Sequence, residues 1–257
     1  MNRKTLLTLA GALALGVSAF IPRTAFAAAW SSTNIEYLYG WNYRLTDREA
    51  GIITLEHVSG FAYGDNFFFL DVTHPVEAKV KAEALYGQWN PRFSLGKISG
   101  KSLSAGPIGD ILVTGELGYG ANLGGYQREY NYGIGFDLKV PGVPVLAINF
   151  WVHDAVGLEG MTYQISPYWG APFHLGSVGF LFEGFLDYVG EEGEAGRQNG
   201  VSHAYLITQP RLLLDAGSLV HKEGNLFVGT EVAMWFNKFG IEDINEVVPQ
   251  AMVKWVF

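Results

Sequence analysis

The sequence contains no cysteine, so neither disulfides nor thiolate metal sites are available to it. Beyond residue 27 it also lacks any apolar run of the roughly 18 residues that a membrane-spanning helix requires. Basic residues are scarce, because 17 Lys and Arg stand against 25 Asp and Glu and the formal net charge is −8. An acidic chain of this kind argues against a nucleic acid as its partner.

The first 27 residues have the organisation of a signal peptide. Arg3 and Lys4 precede an apolar stretch over residues 6–21, and a small-x-small pattern ends at Ala27. The alternative is a membrane anchor, but the stretch is short for a span and is interrupted by Gly11 and Gly16. We therefore predict an exported protein that is cleaved near Ala27.

The remaining chain is apolar for an exported protein without disulfides. The whole sequence is 49% hydrophobic and 14% aromatic, with 33 glycines. Polar and apolar residues alternate along twelve segments, which is the pattern of β-strands that have two different surroundings. The predicted strands are residues 34–43, 52–62, 67–73, 84–94, 110–119, 130–138, 146–153, 162–169, 178–188, 205–214, 226–237 and 248–257. Between two of them, the polar, glycine-rich residues 191–200 are predicted to form a long mobile loop.

One strand shows what the two surroundings are. After the turn residues Gly64-Asp65-Asn66, the side chains of Phe67, Phe69 and Asp71 share one face, and the opposite face is wholly apolar. A strand between lipid and a polar pore has this character. The even strand count and about ten residues per strand also fit a bacterial outer-membrane barrel. Residues 28–257 are therefore predicted to form an all-β, single-domain, 12-stranded antiparallel transmembrane β-barrel in the cell outer membrane.

A water-soluble β-sandwich is the alternative fold. It is disfavoured because the face opposite the apolar one carries ionisable residues, which a sandwich interior would exclude. The chain also ends on an amphipathic strand with Trp255, Val256 and Phe257. A C-terminal aromatic residue of this kind is recognised by outer-membrane assembly machinery, which we therefore expect as a partner besides outer-membrane lipid.

The polar faces of the strands predict a lumen that binds solute weakly. A twelve-stranded barrel is wider than the eight-stranded kind that side chains fill, and narrower than general porins. Aromatic rings can stack on a flat solute, and carboxylates and amides can hydrogen-bond its polar edge. The candidate lumen residues are Glu36, Glu56, Phe67, Phe69, Asp71, Arg92, Glu116, Asp137, Asn149, Trp151, Glu183, Arg211 and Lys254, together with Phe185, Asp187, Glu231 and Trp235.

Three blocks are more specific than strand periodicity. They are Gly-Asp-Asn-Phe-Phe-Phe-Leu-Asp at 64–71, Pro-Arg-Phe-Ser-Leu-Gly-Lys at 91–97 with Ala-Gly-Pro at 105–107, and Tyr-Gly-Ile-Gly-Phe-Asp at 132–137, continuing through Val-Pro-Gly at 140–142 to Asn149. Together they resemble the nucleoside-specific channel-forming outer-membrane proteins, the Tsx family. The resemblance implies a monomeric twelve-stranded barrel and passive diffusion of nucleosides or similar small polar solutes. It maps none of the family's solute contacts onto single residues of this chain.

Two other functions are open. A barrel could serve in anchoring or adhesion, or as a phage or colicin receptor through its loops, without a conducting pore. An outer-membrane lipid-modifying hydrolase would need a His-activated serine, and His57 and Ser59 share one strand face. Glu56 points away from them and no oxyanion donor is evident, so we predict no catalytic residues. The spacing of the six histidines suggests no metal site, and nothing in the sequence indicates a cofactor.

Overall fold

The structure, a computed structural model, describes residues 28–45, 47–74, 84–122, 125–194 and 200–257. The predicted signal peptide, residues 1–27, lies outside them, and its cleavage stays a prediction. No helix in the described residues is long and apolar enough to cross a membrane.

Strands dominate the described residues. One short α-helix, α1 (Leu95–Ser99), follows the fourth strand. The strands are β1 Trp30–Trp41, β2 Glu49–Phe61, β3 Gly64–Thr73, β4 Ala84–Ser94, β5 Ile108–Asn122, β6 Gly125–Leu138, β7 Val145–Ala155, β8 Thr162–Leu175, β9 Val178–Val189, β10 Glu192–Gly193, β11 Val201–Ser202, β12 Tyr205–Thr208, β13 Arg211–Asp215, β14 Leu226–Phe236 and β15 Glu246–Val256.

The sheet closes on itself. Each long strand pairs antiparallel with the next, and β1 pairs with β15 from Asn34 opposite Val256 to Gly40 opposite Gln250. Closure leaves no strand edge unpaired in lipid, where an open edge could not be hydrated.

Two short strands, β12 and β13, are the halves of one membrane-spanning strand. Both lie between β9 and β14 and keep the same register across Gln209 and Pro210. Proline has no N–H to donate, so the ladder is interrupted there. Counted this way, twelve strands span the membrane, and the predicted 12-stranded antiparallel barrel is confirmed.

Alternation separates the two faces of the barrel wall. On β1, Glu36 is 1% exposed whereas its neighbours Ile35 and Tyr37 are 42% and 44% exposed. The outward apolar side chains form the lipid-facing surface that an outer-membrane barrel requires. Leu38 is the apolar exception on the inward face of β1, and it packs inside the barrel against Leu213 and Met252.

The two ends of the barrel are distinguished by the strand ends that they carry. At the terminal mouth, where β1 begins and β15 ends, the connections range from the two-residue turns 62–63 and 176–177 to the longer segments 95–107, which contains α1, and 216–225. The opposite end, where β1 ends and where the β10–β11 hairpin lies, is the loop mouth.

The prediction of a structureless loop over residues 191–200 is wrong in part. Strands β10 and β11 form a small hairpin, pairing Glu192 with Ser202 and Gly193 with Val201. The backbone N–H of Ala155 donates to the carboxylate of Glu192, which attaches the hairpin to the end of β7. Residues 195–199 lie outside the described residues. The strand predicted to end at residue 169 also continues to Leu175, because the residues beyond it pair with the start of β9.

Candidate functional site: the barrel interior

An arginine connects carboxylates from four strands inside the barrel. The guanidinium of Arg211 lies 3.3 Å from Glu36, 2.9 Å from Glu56, 3.5 Å from Glu183 and 2.6 Å from Glu231. The register produces this meeting, because Arg211 is directly opposite Glu183 on β9 and Glu231 on β14.

A lysine from the last strand joins the same group. The Nζ of Lys254 lies 3.2 Å from Glu36, 3.4 Å from Glu56 and 2.7 Å from Glu183. Lys254 stands directly opposite Glu36, across the β1–β15 pair that closes the barrel. We call these six residues, Glu36, Glu56, Glu183, Arg211, Glu231 and Lys254, the central network. Its four carboxylates outnumber its two cations, so its net charge is negative when all are ionised.

A second ion-pair cluster lies nearer the terminal mouth. Arg92 binds both oxygens of Asp65 at 2.7 Å and one oxygen of Asp137 at 2.8 Å. Its guanidinium carbon lies 5.5 Å from the ring centre of Tyr168 on β8, which is a cation–π distance. Side chains from β4 and β8 therefore meet inside the barrel, on the lumen side of the three strands between them, β5, β6 and β7.

A third polar cluster surrounds Glu116 and contains no paired cation among the described residues. The amide nitrogens of Gln88, Asn90 and Asn131 all donate to the carboxylate of Glu116. Next to it, the hydroxyl of Tyr86 donates to Glu129. Three amides and a phenol therefore donate hydrogen bonds to these two carboxyl groups.

Aromatic rings form an inward row on the adjacent wall. The ring centres of Phe67 and Phe69 are 5.9 Å apart, and Phe69 is 5.8 Å from Tyr86. The same face of β3 carries Asp71, whose carboxylate accepts a 2.5 Å hydrogen bond from Thr54. The row therefore lies between the central network and the Glu116 cluster.

The interior is narrow. Inward side chains such as Gln250 and Thr114 are 2% exposed, and Trp151 and Asn149 are also nearly inaccessible. Polar groups, rather than hydrocarbon alone, make up most of this packing.

A cavity of about 280 Å³ opens at the loop mouth. Its lining includes Glu129, His153, Glu192 and Tyr205. The imidazole of His153 contacts Asn131 through Nδ1 at 2.8 Å, and its Nε2 lies 3.7 Å from Glu192. Burial raises the pKa of the Glu192 carboxyl to about 7, although the bond from the Ala155 N–H acts in the opposite direction.

A family model matches residues 27–244, which is most of the chain and includes every strand that lines this interior except β15. The model describes the nucleoside-specific channel-forming protein, Tsx. The chain belongs to this family. The Tsx resemblance of the three sequence blocks is thereby confirmed, and the protein is an outer-membrane channel of the porin type.

More distant similarities extend to other outer-membrane proteins. Outer membrane protein OmpK of Vibrio parahaemolyticus is 25% identical over 190 residues, which cover 71% of this chain and 68% of that protein. The KdgM porin, solved in complex with disordered oligogalacturonate, is 10% identical with a TM-score of 0.47, covering 87% of this chain and 99% of the porin. The translocator domain of the autotransporter NalP from Neisseria meningitidis is also 10% identical, with a TM-score of 0.37 and coverage of 99% and 98%.

The structure places every predicted lumen residue of this Tsx-family chain on the inward face. It joins Glu36, Glu56, Glu183, Arg211 and Lys254 in one network, and Arg92 with Asp137 in another. Glu231 also belongs to the first network. The remaining predicted residues are distributed over other parts of the wall: Phe67, Phe69, Asp71, Glu116, Asn149, Trp151, Phe185, Asp187 and Trp235. Contact of any of them with a solute stays a prediction.

Several inward residues were missed from the sequence. Asp65 was assigned to a turn, although β3 begins at Gly64 and Asp65 is already opposite Arg92. Glu129 and Tyr168 lie on the inward faces of β6 and β8, opposite Gly118 and Ala147. Extending the alternation two residues beyond each predicted strand end would have found Asp65.

The two residues of the hydrolase alternative have separate partners on the outward face. Nδ1 of His57 lies 2.8 Å from the hydroxyl of Thr33, and the hydroxyl of Ser59 accepts from Asn66 at 2.8 Å. Members of the matched family are channels, which is consistent with a protein that is not an enzyme. Within the described ranges, no group of three or more His, Asp or Glu is arranged to hold a metal ion.

Proposed function

We propose that this channel passes nucleosides, or small neutral solutes that resemble them, by passive and selective diffusion. The observation that carries the proposal is the inward row of Phe67, Phe69 and Tyr86 beside the hydrogen-bonding groups of Asp71 and Gln88. The family description supports the same class of solute.

The chemistry of the row fits a nucleoside. A nucleobase presents a flat apolar face, and stacking on an aromatic side chain is worth about 1–3 kcal/mol per base. Its edge and the ribose carry hydrogen-bond donors and acceptors, which the nearby carboxylates and amides can satisfy. Weak contacts of this size give selectivity without holding the solute so tightly that it cannot leave.

Permeation into liposomes tests the proposal. Purified protein should admit uridine and adenosine faster than sugars of equal size. Equal permeation rates for nucleosides and sugars would contradict nucleoside selectivity and would indicate a general pore.

A ring-removal variant tests the role of the aromatic row. Phe67→Leu with Phe69→Leu keeps apolar bulk but removes two stacking faces, and should weaken uridine competition about fivefold or more if about 1 kcal/mol of stacking is lost. The control is Phe136→Leu with Phe150→Leu, a second ring pair with centres 6.1 Å apart on the outward face. If both pairs give the same competition, the row has no part in solute binding.

The near-complete burial of inward side chains favours a second candidate, a receptor or structural barrel without a conducting pore. Ion conductance across a planar bilayer separates the two. A folded barrel that conducts no ions under any applied voltage would support the second candidate.

The remaining partners are proposals of the same kind. We expect assembly machinery to recognise the last strand, where Trp255 faces outward and Phe257 is 74% exposed. A monomeric state, and the use of the loops by phage or colicin, stay predictions.

A further inference from the structure

Three inward polar side chains lack the partners that buried polar groups ordinarily have. They are Thr114 (Oγ1), Asn149 (Oδ1) and Trp151 (Nε1), with 2%, 3% and 5% of their surfaces exposed. None of these three atoms has a hydrogen-bond partner among the described residues. Leaving a buried polar atom unpaired is costly, so such groups are rare in folded proteins and call for an explanation.

The three atoms belong to one patch of the wall. Thr114 on β5 and Trp151 on β7 lie on either side of Gly133, and Asn149 lies beside Gly135, two residues from Trp151. Strands about 4.8 Å apart and a rise of about 3.3 Å per residue give a patch of roughly 7 by 10 Å. These dimensions match a pyrimidine or purine ring with its substituents.

Two glycines form the floor of the patch. A Cβ atom at Gly133 would collide with the carbonyl oxygen of Phe150, and one at Gly135 would collide with Oδ1 of Asn149. The clash at Gly133 is with backbone, so a side chain there would require the strand to shift, whereas at Gly135 the Asn149 side chain could move aside. The result is a shallow trough with hydrogen-bonding atoms on its sides.

Planar groups lie at the edges of this trough, since Arg92 is directly opposite Thr114, and Tyr168 is opposite Ala147, two residues from Asn149. Arg92 comes from β4 and Tyr168 from β8, the strands that flank β5, β6 and β7, and the guanidinium meets the ring at 5.5 Å. A guanidinium and a phenol ring both stack on flat heterocycles. A planar solute that stacked on either group would lie next to the three polar atoms.

The three atoms together define what the edge of that solute must carry. Oδ1 of Asn149 requires a donor, Nε1–H of Trp151 requires an acceptor, and the hydroxyl of Thr114 can do either. None of the three is charged, so the complementary group is neutral. An N–H beside a C=O in a planar ring, as in a cyclic amide, meets all these conditions.

We propose that Thr114, Asn149 and Trp151 form a specificity subsite for the amide edge of a nucleobase-like heterocycle. This rests on the proposed function and adds which part of the solute is recognised, and by which wall of the barrel. The aromatic row on β3 contacts the face of a ring at a separate position. Ribose hydroxyls are not the groups read by this patch.

Block of ion conductance by uridine in planar bilayers measures binding to wild-type protein and to three variants. Thr114→Val removes the hydroxyl, Asn149→Leu replaces the whole side-chain amide, and Trp151→Phe removes the indole N–H together with part of the ring system. Each should weaken uridine binding about three- to tenfold, the effect of one neutral hydrogen bond. Because the hydroxyl of Thr114 has no hydrogen-bond partner among the described residues, thermal unfolding of Thr114→Val should occur at the wild-type temperature or higher.

Trp169→Phe is the matched control. Nε1 of Trp169 is also buried without a hydrogen-bond partner among the described residues, but this side chain is on the outward face, 5.8 Å from Phe182. Its removal should leave uridine binding unchanged. A loss equal to that of Trp151→Phe would mean that the subsite variants act through general packing, and would overturn the proposal.

A methylated solute identifies the edge. 3-Methyluridine lacks the ring N–H, so wild-type protein should bind it more weakly than uridine, and this difference should disappear in Asn149→Leu. If the variants instead change the binding of ribose alone, the patch reads the sugar and the proposal is wrong. If uridine blocks wild type and all three variants equally, the subsite is wrong while the nucleoside function stands. Absence of block in wild type would overturn both.

Discussion

Replacing Arg211 by methionine removes the cation that contacts all four carboxylates of the central network. Methionine keeps a long apolar stem and deletes only the charged, hydrogen-bonding end. In the variant, Lys254 still lies beside Glu36, Glu56 and Glu183, but within the described part of the chain Glu231 keeps only the amide of Gln250 as a hydrogen-bond donor. One positive group would then face four carboxyl groups in a nearly dry interior.

The expected loss of stability follows from that imbalance. Removing one partner of a buried ion pair destabilises a protein by about 3–5 kcal/mol, because the other charge remains buried and unpaired. Because Arg211 has four such partners, we expect Arg211→Met to lower the free energy of unfolding by about 4–5 kcal/mol, the upper end of that range. Adding Glu231→Gln to Arg211→Met removes the carboxylate that loses most, and should recover a substantial part of the loss.

Urea unfolding of the refolded barrel in detergent micelles, followed by tryptophan fluorescence, measures these differences. Lys139→Met is the matched control, since it also deletes one positive charge but at an exposed position where Lys139 binds Ser104. Exposed substitutions of this kind change stability by about 0.5 kcal/mol or less. If Arg211→Met costs no more than Lys139→Met, the central network does not stabilise the barrel and the reasoning fails.

Two further predictions concern the ends of the molecule. The pKa of the Glu192 carboxyl is about 4.5 in the unfolded chain and about 7 in the folded protein, where burial and the nearby Glu129 and Asp154 favour the protonated form. The stability that this protonation contributes is therefore fully present below about pH 4.5 and is lost as the pH rises through about 7. Hydrogen exchange at the β10–β11 hairpin, corrected for intrinsic rates, should therefore show faster opening above pH 7, and Glu192→Gln should remove this dependence; an unchanged pH profile in the variant would assign it to another group. Phe257→Ala should lower the amount of folded barrel in outer membranes while refolding in detergent stays normal, and equal amounts in cells would exclude the C-terminal aromatic residue as an assembly signal.

Alternation along single strands was sufficient to predict a barrel of twelve strands and the inward direction of the candidate lumen residues. The period of two is a local property, so Glu36 and Tyr37 could be assigned to opposite faces without any knowledge of their neighbours. The alternation also assigned Leu38 correctly, although it is apolar: its side chain faces inward and packs within the barrel.

Contacts across the lumen could not be predicted in this way. Arg92 meets Tyr168 because β4 and β8 curve toward each other in the closed sheet, and neither sequence segment indicates the other. The missing partners of Thr114 and Asn149 are likewise a property of the assembled wall. The hairpin at Glu192 was missed because its attachment depends on the end of a distant strand, not on its own polar, glycine-rich composition.

The pairing of Glu36 with Lys254 has a consequence for biogenesis. These two residues belong to the first and last strands, so the chain must be complete before either side chain finds its counterpart. A chain truncated before β15 would keep Arg211 and the four glutamates of the central network without Lys254, and the edges of β1 and β14 would be unpaired. Such an intermediate would be poorly suited to release into the bilayer, and only full-length molecules would be expected to mature.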